Sequence, residues 1–245
     1  MAVLVKNTRP KRQFSLLPLE KDVTMSESGA VIPVFPLPNV VLFPKIQLPL
    51  HIFEPRYREM VRDAMAGEGL IGMALLKGEW EKEYYGNPKI CHTGCVGKIV
   101  GHTPLPDGRC NILLYGLTEY EIDREIVDRS SYRQAKVVLR GEPTALESET
   151  LKRLKAEILA LLSEIIEPDS PLLKFLADES VDGAAWMNLC CFSLNVAPME
   201  KQTLLEAKSL EERATRLIEV LRFVTVEKKG AFDLADGVKD RKLPH

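Results

Sequence analysis

"VIPVFPLPNVVLFPKIQLPLHIFEPRY", residues 31–57, decides how this chain is read. The stretch is strongly apolar, yet prolines stand at positions 33, 36, 38, 44, 49 and 55. A proline lacks the backbone N–H, so this spacing speaks against a membrane helix and restricts strand residues here to starts, edges and bulges. Ile46, Leu48, Leu50 and Ile52 alternate with Gln47, Pro49, His51 and Phe53, which predicts a strand with one apolar face. Pro55 then suits the first position of a helix and Glu54 its positive end. Phe53, Tyr57, Met60, Val61 and Ala64 share one face of that helix.

Downstream the period stays near two as far as residue 140. "GLIGMALL" (69–76) reads as a buried strand, and Pro106-Asp107-Gly108 marks a hairpin turn between two apolar runs in 96–116. "LTEYEID" (117–123) and "YRQAKVVL" (132–139) complete at least five or six strands, joined mostly without helices. After Gly141-Glu142-Pro143 the period changes to 3.6. Thr144 and Glu147 pair as a capping box before Leu151, Leu154, Ile158, Leu161, Leu162 and Ile165. "DGAAWMNLCCFSL" (182–194) predicts a buried helix, Pro198 opens another, and Ser209 with Glu212 caps a last one. The expected fold is α+β, a mixed or antiparallel barrel-like β module followed by a C-terminal helical bundle. The expected division is a flexible tail at 1–28, the β module at 29–141, the bundle at 142–225 and a loose tail at 226–245.

The 245 residues carry a formal net charge of −2, which gives no electrostatic reason to expect nucleic acid or an acidic membrane. No run approaches the roughly 20 apolar residues of a membrane span. Five cysteines, two of them adjacent (Cys190, Cys191), argue against a secreted disulfide framework and for a cytoplasmic, reducing setting. Cys91, His92, Cys95, His102 and Cys110 raise a zinc reading, but "CHTGC" lacks a second tight pair, so no metal and no cofactor are expected. No serine, cysteine or histidine can be singled out as catalytic. "EWEKEYYGNPK" (79–89) reads as a solvated loop, with Trp80, Tyr84 and Tyr85 as a possible contact surface.

The opening stretch resembles the signature of the Lon N-terminal domain, the substrate-recognition module of ATP-dependent Lon proteases. Pro36, Leu37, Val40, Val41, Leu42, Phe43 and Pro44 carry its first part. Pro49, Leu50, Ile52, Phe53 and Glu54 carry its second, and Arg56 with Tyr57 its third. A glycine commonly follows "LFP" in that family, and Lys45 stands there in this chain. The resemblance implies a PUA-like β fold followed by helices, and binding of unfolded or damaged polypeptides in protein quality control, alongside a partner protease or chaperone. The sequence contains no G-x-x-x-x-G-K-[ST] phosphate loop and no segment for a Ser-Lys protease domain. The expectation is therefore a stand-alone, non-enzymatic binding module. RNA binding, known for other PUA-like folds, and an ATP-independent peptidase or other small-molecule enzyme are the alternatives.

Two readings of Val40, Val41, Leu42 and Phe43 follow. Either they plug the end of the barrel, or part of them, Phe43 foremost, offers an apolar patch beside unpaired edge backbone where an unfolded chain could add as a strand. Glu54, Arg56 and Tyr57 are expected to orient the helix and are secondary candidates for contacting a partner.

Overall fold

The computed structural model describes residues 29–83, 86–126, 130–141, 147–178 and 181–239. Thr144, Tyr84, Tyr85 and the expected tail at 1–28 lie outside them. The described residues divide into two units: residues up to 143 with 188–206, and residues 144–187 with those from 207 onward.

The first unit is built on six strands: β1 (Ala30–Leu37), β2 (Gln47–Ile52), β3 (Leu70–Leu75), β4 (Thr93–Pro104), β5 (Cys110–Ile126) and β6 (Arg133–Leu139). Their order is β2-β5-β4-β3-β1-β6, with a further β5–β6 pairing. That last pairing closes β1, β3, β4, β5 and β6 into a barrel, and β2 lies alongside the first half of β5. β1 and β3 are parallel; the other pairs are antiparallel.

β5 absorbs what the sequence divides into two strands. It runs unbroken through 17 residues, exchanging β2 as neighbour at Cys110–Tyr115 for β6 at Tyr120–Ile126. Register shifts at Val96/Gly97 and Ile99/Gly101 in β4, and at Ile122/Arg124 in β5, provide the bends that closure requires. The hairpin turn falls where the Pro-Asp-Gly signal puts it, with Gly108 at φ +78°.

β1 shows how a strand tolerates two prolines. β6 pairs with it over Ala30–Val34 and β3 over Val34–Leu37. Pro33 therefore has no partner strand on the β3 side, and Pro36 has none on the β6 side, so each proline has a flank where a missing N–H costs no ladder bond.

Helix α1 (Pro55–Ala66) begins with Pro55 in its first turn and buries Tyr57, Met60, Val61 and Ala64, as the sequence pattern predicts. Later helices are α2 (Ser148–Ile165), α3 (Pro171–Leu176), α4 (Gly183–Ser193), α5 (Pro198–Leu205) and α6 (Leu210–Lys239). Glu147 is the N-cap of α2, and its expected capping-box partner Thr144 lies outside the described residues. At α6 the Ser209 hydroxyl accepts from the Glu212 N–H at 3.1 Å, and the Glu212 carboxylate accepts from the Lys208 N–H at 2.8 Å. That carboxylate is held below its usual pKa range, first by the Lys208 backbone bond and also by Arg216.

Two boundaries differ from expectation. The helix α6 continues to Lys239, where a loose tail from 226 is expected; no proline interrupts it before Pro244. Residues 188–206 join the sheet, not the bundle. Polar bonds make this attachment: the buried Gln202 side chain donates to the Thr93 carbonyl at 2.9 Å, and Arg140 Nη1 of the β module donates to the Glu206 backbone carbonyl at 3.3 Å. In the second unit, Trp186 is fully buried and donates to the Leu176 carbonyl at 2.8 Å, with the Lys155 ammonium 5.3 Å from its ring centroid.

Candidate functional site

The seven sequence candidates separate into two places. Val40, Val41, Leu42 and Phe43 are all buried, Phe43 completely. The loop that carries them is tied down by its backbone: Lys45 N–H donates to the Gly116 carbonyl at 2.7 Å, and Gly116 N–H donates to the Ile46 carbonyl at 2.9 Å. Asn188 Nδ2 adds a bond to the Pro44 carbonyl at 3.1 Å. A Cβ on Gly116 would collide with the Phe43 carbonyl, so this close approach requires glycine. Lys45 has φ +65°, the only positive φ at a non-glycine among the described residues, at the position where the resembled family commonly has glycine. The exposed-patch reading of Val40–Phe43 is thus corrected: these side chains are buried, because burying four large apolar groups is worth far more than presenting them.

Glu54, Arg56 and Tyr57 stand elsewhere. The Glu54 carbonyl accepts from Tyr57 and Arg58 N–H, each at 3.0 Å, and starts α1. Its carboxylate accepts from Arg56 Nε at 3.0 Å. The Arg56 guanidinium lies 4.6 Å from the Tyr57 ring centroid, and Tyr57 packs on Phe35 with centroids 4.4 Å apart.

Arg56 and Tyr57 line a cavity of about 230 Å³; none of Val40–Phe43 does. Its floor is apolar, from Pro36, Tyr57 and Leu76, all buried. Ser130, Ser131, Tyr132 and Arg133 form the facing wall, with Glu125 and Ile126 beside them. Arg133 makes a fork to Glu125, with Nη2 at 2.7 and 2.8 Å and Nε at 3.1 Å, and donates from Nη1 to the Pro88 carbonyl at 2.6 Å. Ser131 Oγ donates to Glu59 at 2.8 Å and the Tyr132 hydroxyl to Asp63 at 3.0 Å, which latches this wall to α1. Nothing in the sequence marked Arg133, Glu125 or the Ser130–Tyr132 segment. Beside this cavity, β6 pairs with β1 as far as Val34 and β3 pairs with Val34–Leu37. A second depression, of about 500 Å³, runs along Ala30–Pro33 beside Ala64 and Gly67, with Val31 exposed at its rim.

Among the described residues no group of three or more His, Cys, Asp or Glu side chains is placed to hold a metal ion. Cys91 and Cys110 are buried, and burial pushes both thiols above their usual pKa. No described helix is long and apolar enough to cross a membrane.

Residues 31–222 match the family described as the ATP-dependent protease La (LON) substrate-binding domain. The chain belongs to the Lon substrate-binding domain family. It is 29% identical over 226 residues to a Lon protease of Flavobacterium johnsoniae, covering 88% of this chain and 27% of that protein. A Lon protease of Parabacteroides distasonis is 28% identical over 225 residues, with the same coverage of each. This Lon-type chain therefore spans about a quarter of the length of these relatives. The N-terminal domain of a Mycobacterium avium complex Lon protease shares the fold with a TM-score of 0.62 at 17% identity, covering 79% of this chain and 98% of that one. A Lon N-terminal domain protein from Xanthomonas campestris does so with a TM-score of 0.57 at 20% identity, covering 78% and 98%. The α+β class and the Lon-type architecture expected from the proline-rich signature are borne out.

Proposed function

We propose that this chain binds unfolded or damaged polypeptides without catalysing a reaction on them, and delivers them to a partner protease or chaperone. The observation that carries this is the match of residues 31–222 to the substrate-binding part of Lon. Within the domain, the cavity beside Arg56 and Tyr57 is the docking place we favour over the Val40–Phe43 loop. It is open at its rim, where Gly86, Asn87, Glu125 and Ser131 are exposed. An extended chain can lie across such a rim while placing a side chain in the cavity.

The test is titration of the protein with a fluorescently labelled, reduced and carboxymethylated protein that cannot refold, followed by anisotropy, with the native form of the same protein as control. Saturable binding of the unfolded form alone is expected, with no ATP consumption and no cleavage of the bound chain. Equal binding of the native form, or proteolysis by highly purified protein, would contradict the reading.

A further inference from the structure

The larger depression on the β module, of about 500 Å³, differs in character from the cavity at Arg56. Val31, Pro33, Ala64 and Leu70 give it an apolar lining, and Asp63 and Glu68 are the charged groups that line it. Val31 is 55% exposed there, and Met65, which follows Ala64 in α1, is 47% exposed. Water therefore meets an apolar surface with an acidic margin, a combination that suits an apolar segment flanked by cations. The margin is not neutralised from within. Arg62 pairs with Asp63, and the Lys98 ammonium donates to the Glu68 backbone carbonyl, but the Glu68 carboxylate has no partner among the described residues.

β1 starts at the edge of this depression, with Ala30 in its lining. Residues 1–28, which lie outside the described residues, join it through Gly29, whose φ of +88° bends the chain away from the line of the strand. Upstream, "RPKRQFSLLPL" (9–19) carries the complementary chemistry. Lys6, Arg9, Lys11 and Arg12 precede Phe14, Leu16, Leu17 and Leu19, and no acidic residue occurs before Glu20. Leu19 is ten residues from Gly29, a tether of at most about 35 Å, and the depression begins at the next residue. For a segment held this close, contacts too weak to retain a separate peptide are sufficient.

We propose that residues 9–19 fold back onto this depression within the same molecule, covering Val31 and Ala64 with Phe14, Leu16 and Leu17 and setting Arg12 against Glu68. The contact is independent of the polypeptide-binding reading, which concerns the cavity at Arg56.

The experiment keeps the chain whole. The five native cysteines are buried, so a thiol-reactive nitroxide can be directed to an introduced Ser15→Cys. Amide proton–nitrogen correlation spectra are recorded with the label oxidised and reduced. Selective loss of intensity is expected at Val31, Ile32 and Asp63–Glu68 in the oxidised state. Glu68→Arg should abolish that loss while the dispersed spectrum shows the fold retained, and adding Arg12→Glu to the same chain should restore it. Loss that is absent, spread evenly or confined to other segments overturns the proposal. So does loss at the depression that Glu68→Arg leaves unchanged. Loss that appears equally when labelled chains without the nitrogen isotope are mixed with unlabelled isotopic chains assigns the occupant to a second copy and overturns the intramolecular contact.

Discussion

The loop at 38–45 and the cavity at Arg56 stand at opposite extremes of what a sequence displays and what a surface offers. The loop holds the most distinctive residues of the chain, and its large apolar side chains are all buried. The cavity is walled by ordinary polar residues from four separate segments, and its rim is exposed. The contrast teaches that the most recognisable residues of the Lon-type signature are packed inside this chain, while an exposed rim stands at residues that no signature marks.

The comparison can be broken at the loop first. Phe43→Ala should cost about 3–5 kcal/mol, since a completely buried aromatic side chain leaves a cavity that the glycine-locked backbone around it cannot collapse into. Thermal or denaturant unfolding checks this; a change below about 1 kcal/mol would mean that Phe43 is not packed inside. At the cavity the expected effect is smaller. Arg133→Ala removes the fork to Glu125 and the bond to the Pro88 carbonyl, at a cost of about 1–2 kcal/mol, because Glu125 can be rehydrated at its exposed position. The smallest effect has the opposite sign. Lys45→Gly should stabilise the protein by about 1 kcal/mol by relieving the left-handed backbone at φ +65°, with a matching rise in melting temperature.

Much of this architecture was legible because the signals are local. The alternation over 46–52, Pro55 at a helix start, the Pro-Asp-Gly turn and the Ser209–Glu212 cap all act within a few residues, and the structure places each as read. β1 was hidden because two prolines disguise a strand whose neighbours are staggered around them. The length of β5 was hidden because continuity across 116–118 depends on a change of partner strand, not on anything local. The attachment of 188–206 to the sheet rests on Asn188, Gln202 and Glu206 meeting residues at least 66 positions away. The candidate site fared worst. Arg56 and Tyr57 were legible as motif members, whereas Glu125 and Ser130–Arg133 reach the cavity only through barrel closure.

The most direct measurement is hydrogen–deuterium exchange of the protein with and without the carboxymethylated, permanently unfolded partner. The account predicts added protection in peptides containing the start of α1 and Ser130–Arg133, with no change across Val40–Phe43, which is already buried. Protection confined to other segments, or exchange in the loop that is fast without partner and slow with it, would contradict the claim that the signature is packed inside and the cavity receives the chain.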